Sequence, residues 1–260
     1  MATVQSGPGR IRLFNDFFCG WDQSDIAATT TLADLEMAGP FIIFGEGLLN
    51  LDAGLFHLNV LSGAVRVTST AAAEDDPVCI GTYNAFKVGL MAPILLETRI
   101  QCNNLDTKRI FFGLTDAEGG DEKKDLSIED DIVASTTLTF TPVASDYVGF
   151  LFSSEMSDVD VWHGLYRGGT EAMTGGAVSE TYDFDGHELV AGDWQILRLE
   201  VDPNGTARWY IDGVLVKTQE GACATTVAMG VVLGVEGVGS AVEQMDVDYL
   251  LVEANRDWTV

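Results

Sequence analysis

A period of two constrains this chain more than any other feature. Short runs of alternating apolar and polar residues, each closed off by Gly, Pro, Asn or Asp, recur from end to end, whereas the spacing of an amphipathic helix is almost absent. The stretch VDPNGTARWYIDGVLVKT, residues 201–218, is the most legible case. Asp202, Pro203, Asn204 and Gly205 suit a type I turn, with Gly205 taking the positive backbone angle that follows. Asp212 and Gly213 suit the mirror-image two-residue turn that matches strand twist. Trp209 shares a face with Ala207 and Ile211, which makes it a core aromatic.

Further strands are expected over 54–61, 64–70, 92–102, 109–115, 147–154, 158–167, 193–202, 225–236 and 242–255. Within 193–202, Leu197, Leu199 and Val201 share one face, and Ile196, Arg198 and Glu200 share the other. Near the C-terminus Met245, Val247, Tyr249 and Leu251 alternate with Asp246, Asp248 and Leu250, so one face of that strand should be buried. With no helical crossovers, so many strands favour an all-β, two-sheet antiparallel jelly-roll sandwich. Neither linker nor repeat divides the chain, so residues 13–260 are expected as one domain and residues 1–12 as an extended arm. Two stretches read as long loops: the acidic 116–131, which has almost nothing apolar to bury and should be exposed, and 167–192 with its two Gly pairs.

Charge narrows the partners. Fourteen basic residues stand against forty acidic ones, a formal net of -26. Such a surface repels phosphate backbones and anionic headgroups, so neither nucleic acid nor membrane is an expected partner. No run reaches the roughly 18 apolar residues of a membrane span, and the N-terminus lacks a signal-peptide core, so synthesis in a cytoplasm is expected. Cys19, Cys79, Cys102 and Cys223 are too far apart for a zinc knuckle or redox pair and read as small buried hydrophobes.

Contiguous catalytic motifs are missing. Glycoside hydrolysis on a jelly roll needs paired carboxylates, and residues two apart on a strand would share a face. Glu200 and Asp202, Asp158 and Asp160, and Asp246 and Asp248 have that spacing, but none has the third carboxylate that would complete the set. There is no Gly-x-Ser-x-Gly elbow and no phosphate-cradling loop. On this reading the chain is not an enzyme. Trp162, His163 and Tyr166 form an aromatic cluster beside acidic residues that could stack on a sugar ring, although packing between sheets is the commoner use. Asp116, Glu118 and Asp121 crowd enough oxygens to attract calcium, without the spacing of a twelve-residue calcium loop; no other cofactor is expected. Asn204, Gly205 and Thr206 match an N-glycosylation sequon but read more simply as turn residues.

GDWQILRLEVDPNGTARWYIDGVLVKT, residues 192–218, is similar to the hairpin of concanavalin A-like lectin/glucanase sandwiches, including laminin-G-like domains. A wider likeness, carried by LFNDFFCGWD, ILLETRIQCNNLDTKRIFFGLTDAEG, SDYVGFLFSS and MDVDYLLVEANR, resembles tailed-bacteriophage virion structural proteins of this fold. That resemblance implies a non-enzymatic head decoration, head fibre or tail-associated subunit in the virion. It would be homo-oligomeric and bound to major capsid or tail proteins. Arg10, Arg12 and Phe14 are the expected capsid contact, with pairing to the chain's own C-terminal strand as the structural alternative. The rival expectation is a carbohydrate-binding module using Trp162, His163 and Tyr166, or the 167–192 loop.

Overall fold

In a computed structural model, residues 9–17, 36–50, 52–71, 76–118, 125–157, 160–173, 177–178, 182–239 and 241–257 are described. The alternating runs become strands of two large antiparallel sheets. Sheet I holds β1 (Arg10–Asn15), β4 (Gly54–His57), β5 (Val65–Thr68), β8 (Ile94–Gln101), β15 (Trp194–Val201), β16 (Ala207–Ile211), β17 (Val214–Gln219) and β19 (Gln244–Asn255). Its order is β17-β16-β15-β8-β19-β5-β4, and β1 joins the C-terminal half of β19, Arg10 opposite Asn255. Residues 10–12 of the expected arm thus lie within a strand, in the home pairing raised as the alternative to a capsid contact.

Sheet II holds β2 (Glu36–Ala38), β3 (Phe41–Phe44), β6 (Val78–Gly81), β7 (Phe86–Lys87), β9 (Lys108–Thr115), β12 (Tyr147–Ser153), β13 (His163–Arg167) and β18 (Ala228–Gly237). The order β13-β12-β9-β18-β6-β3-β2 places β9 and β18 at its centre, and β7 pairs with β18. The fold is the concanavalin A-like jelly-roll sandwich. Its main core lies between the sheets, where Trp209 of β16 reaches across to donate its indole N–H to the Gly149 carbonyl at 2.9 Å.

A third layer covers the outer face of sheet II. It consists of α2 (Ile128–Asp131) and a small sheet of β10 (Val133–Ser135), β11 (Thr139–Pro142) and β14 (Ala177–Val178); elsewhere a short α-helix, α1 (Val88–Met91), follows β7, and a 3-10 turn spans Glu46–Leu49. A second apolar cluster fills this interface, with Leu126, Ile128, Phe140 and Met173 packed on Phe111, Leu151 and Val232. The expected exposure of 116–131 therefore needs correcting in part, since that stretch buries Leu126 and Ile128; the other expected loop, 167–192, contains the short strand β14 and buries Met173, Phe184 and Leu189. Coverage on both faces also explains why RIFFGLT and YVGFLFS are nearly continuous apolar runs, since each of their side-chain faces meets a core.

Strand β19 departs from strict alternation. Its register against β8 shifts between Val247 and Tyr249, a bulge at Asp248. Met245 and Val247 are buried before it and Leu250 and Val252 after it, while Tyr249 and Leu251 turn away from the core. The expected grouping of Tyr249 and Leu251 with Met245 is therefore wrong by one residue. A single unpaired residue exchanges the two faces of everything that follows.

The Asp212–Gly213 turn forms as expected, with both residues at positive φ, 50° and 80°. At the other end of β16, the Gly205 N–H bonds the Asp202 carbonyl at 2.9 Å, and Asn204 Oδ1 accepts from the Thr206 N–H at 3.1 Å. The sequon asparagine is thus engaged in the turn itself.

Candidate functional site

Among the described residues the third layer covers the outer face of sheet II and no layer packs on that of sheet I, which leaves sheet I as the surface available for recognition. Alternation decides what it displays. Trp194, Ile196, Arg198 and Glu200 of β15 stand beside Gln101, Arg99, Glu97 and Leu95 of β8 in antiparallel register. Arg66 of β5, Arg208 and Tyr210 of β16, and Arg10, Arg12 and Phe14 of β1 point the same way. Six of the nine arginines in this acidic chain thus share one face.

Three clefts indent that face. The first lies under the β4–β5 hairpin tip and is lined by Val60, Leu61, Arg99, Gln101, Trp194, Asp246 and Asp248. The Arg99 guanidinium sits 4.8 Å from the Trp194 ring centre and donates to Asp248 Oδ2 at 2.8 Å. Arg66 binds Asp246 through both Nε and Nη2, at 2.7 and 2.9 Å. Above them Leu61 is 99% exposed, carried by a turn in which the Gly63 N–H bonds the Val60 carbonyl and Ser62 takes a φ of 75°. Both features cost free energy, since a non-glycine residue is held left-handed and an apolar side chain stands in water.

In the second cleft, Arg198 bridges Glu97 and Glu200 and lies 5.6 Å from the Tyr210 ring centre. The Tyr210 hydroxyl donates to Glu200 Oε2 at 3.2 Å and that of Tyr249 to Glu97 Oε1 at 2.8 Å. Burial, then the hydrogen bond and charge of Glu97, push the Tyr249 phenol well above its ordinary pKa, so it stays a donor. The third cleft runs past Leu95, Glu200 and Asp202 to Arg10, Glu253 and Asn255.

The expected sugar platform does not assemble. Trp162 is buried in the main core with its indole N–H on Gln195 Oε1 at 2.6 Å. His163 is buried on the opposite side of β13 against Phe140, with ring centres 5.1 Å apart. Tyr166 is half-buried between Tyr182 and Trp209, and Lys217 Nζ lies 5.3 Å from its ring centre. Packing between sheets claims all three. Of the calcium candidates, Asp116 and Glu118 are linked by Asn84, whose side-chain amide donates to the Asp116 carbonyl at 3.0 Å and to Glu118 Oε1 at 2.8 Å. Asp121 lies outside the described residues, among which no group of three or more His, Cys, Asp or Glu is placed to hold a metal. Cys79, Cys102 and Cys223 are buried, and Cys19 lies outside the described residues.

Another charge cluster is buried between sheet II and its cover. Arg109 meets Glu129 at 2.5 Å and also contacts Glu155 and Glu236. Burial opposes its charge, but the carboxylates of Glu236, Glu129 and Glu155 outweigh burial and hold its pKa above the ordinary value. Glu236 also accepts from the Ile128 N–H at 2.6 Å and from Ser127 Oγ at 3.2 Å, which fastens α2 to β18. On the other side of β9, Lys108 pairs with Glu243 at 2.9 Å and donates to the Gln244 carbonyl at 3.0 Å. Both sets join layers of the fold.

No protein-family model matches the chain, and no curated protein matches it by sequence. Solved structures do match in fold. A protein of unknown function, SO2946 from Shewanella oneidensis MR-1, aligns over 99% of this chain and 92% of its own, with a TM-score of 0.56 and 9% identity. The potassium-bound carbohydrate recognition domain of Emp46p aligns over 90% of this chain and 98% of its own, with a TM-score of 0.51 and 9% identity. A conserved carbohydrate esterase, vb_24B_21 from the Shiga toxin-encoding bacteriophage phi24B, aligns over 83% of this chain and 90% of its own, with a TM-score of 0.47 and 12% identity. Enzymes thus stand among the structural neighbours, and the expectation that the chain is not an enzyme is withdrawn. Its flaw was physical: a motif search tests residues adjacent in sequence, whereas folding brings together groups as distant as Arg109 and Glu236.

Proposed function

We propose that the outer face of sheet I recognises carbohydrate. The observation that carries this reading is the pair of half-buried aromatic rings on the outward face set among planar Arg–carboxylate pairs, with Trp194 and Arg99 under the Leu61 tip at one end and Tyr210 and Arg198 farther along. Sugars present hydroxyls that donate and accept and C–H faces that prefer an aromatic or apolar surface. Paired guanidinium and carboxylate groups supply both hydrogen-bonding senses side by side. The fold adds support, since the Emp46p carbohydrate recognition domain shares it.

A glycan array probed with the whole chain, with and without calcium, tests the proposal. Binding that falls at least about tenfold in Trp194→Ala, a loss of about 1.4 kcal/mol, is the expected result. No binding above background under either condition overturns it. The two calcium arms also test the ion expected at Asp116 and Glu118.

Attachment to a phage particle is a second reading. In its favour, β1 carries Phe14, 43% exposed, beside Arg12 and Arg10, and among the described residues β1 pairs only with β19. Because Phe14, Arg12 and Arg10 stand on the same outer face of sheet I as the clefts, such a homo-oligomeric subunit would cover part of that face on a capsid or tail, so this reading competes with the carbohydrate reading. Co-sedimentation with intact particles in stoichiometric amount is expected, and recovery only in the soluble lysate overturns this reading.

A further inference from the structure

We infer that the glycan bound on sheet I is an uncharged, extended polysaccharide that lies along β8 and β15, not a single terminal sugar or an acidic chain. The inference rests on the carbohydrate reading of this face and adds the class of ligand.

Length comes from the strands. The outward positions of β15 run in one line from Trp194 to Glu200, seven residues and about 20 Å at strand rise. The three clefts follow that line: Trp194 belongs to the first, Ile196 and Arg198 to the second, and Glu200 to both the second and the third. One sugar ring would fill one cleft and leave the other two unused. A chain along the row meets an aromatic ring at Trp194, another at Tyr210, and hydrogen-bonding groups between them.

Charge excludes the acidic class. Five of the six guanidinium groups on this face are already paired: Arg66 with Asp246, Arg99 with Asp248, Arg198 with Glu97 and Glu200, Arg208 with Asp202 and Arg12 with Glu253, which leaves Arg10 at the far end of the third cleft without an ion pair among the described residues. A uronate would have to displace one of these carboxylates or approach it, against the field of a chain with a net charge of -26. Hydroxyls can join the same pairs as additional donors and acceptors without breaking them.

Calorimetric titration with graded neutral oligosaccharides, disaccharide to hexasaccharide, of β-glucan, α-glucan and mannan, beside hexameric polygalacturonate, tests this. In a series that binds, Kd is expected to fall at least about tenfold from disaccharide to hexasaccharide. Tyr210→Ala should weaken the hexasaccharide about fivefold and leave the disaccharide unchanged, whereas Trp194→Ala should weaken both. A disaccharide bound as tightly as the hexasaccharide, or polygalacturonate bound as tightly as the best neutral chain, overturns the inference and leaves the carbohydrate reading standing. If no saccharide binds at any length, the carbohydrate reading falls and takes this inference with it.

Discussion

Asp146 and Arg109 illustrate how neighbouring groups set the cost of a buried charge. The Asp146 carboxyl is pushed up from its ordinary 3.8 by burial and then by Asp116, with Arg167 pulling the other way. The folded state therefore binds this proton more tightly than the unfolded chain. The contribution is fully present below about pH 3.8 and is lost as pH rises through the higher folded value. Asp146→Asn should remove that dependence and leave stability at pH 7 unchanged or higher, which urea midpoints at pH 4 and pH 7 will check. For Arg109 the balance is opposite, since three carboxylates depend on one cation. Arg109→Met strands them and should cost about 3–5 kcal/mol. Urea unfolding measures that cost, and early proteolysis within 125–157 would locate it in the cover layer.

At the scale of elements, β16 and β19 show where a linear pattern suffices and where it fails. The two turns flanking β16 and the burial of Trp209 were legible because turn chemistry and strand period are local properties. The β19 bulge was not, because nothing in MDVDYLLVEAN marks Asp248 as the unpaired residue. Only the partner strand, with Val247 opposite Ile100 and Tyr249 opposite Arg99, reveals the extra position. Deleting Asp248 should remove the bulge and restore strict alternation with Leu250 and Val252 still inward, because the Val247–Ile100 and Tyr249–Arg99 pairs then become consecutive. The near-ultraviolet dichroism of the packed core should be retained, with the urea midpoint lowered only by the loss of the Arg99–Asp248 pair, and loss of that dichroism would contradict the assignment. The candidate site was hidden for the same reason. Its signal was present in the outward sets Glu97-x-Arg99-x-Gln101 and Trp194-x-Ile196-x-Arg198-x-Glu200, but Arg99 and Asp248 meet only through the pairing of strands 149 positions apart.

For the whole molecule, charge is the dominant global term. The net charge of -26 is spread over a sandwich in which six arginines gather on one face, so the remaining surface is more acidic than the average. Self-repulsion of that kind is screened by salt, with a Debye length of about 30 Å at 0.01 M and about 8 Å at 0.15 M. The urea midpoint should therefore rise between these two concentrations of NaCl, and a flat or falling midpoint would mean that the acidic groups are locally compensated. By itself the sequence determined the fold class, the strand faces away from bulges and the main turns, because these follow from interactions between near neighbours. Tertiary structure decided that Trp162 and His163 are buried, that part of the acidic loop forms a covering layer, and that sheet I carries the arginines, rings and clefts of the proposed site. Strand order and layer coverage are set by contacts between residues far apart in sequence, so whether a face becomes core or a recognition surface is fixed only when the sheets come together.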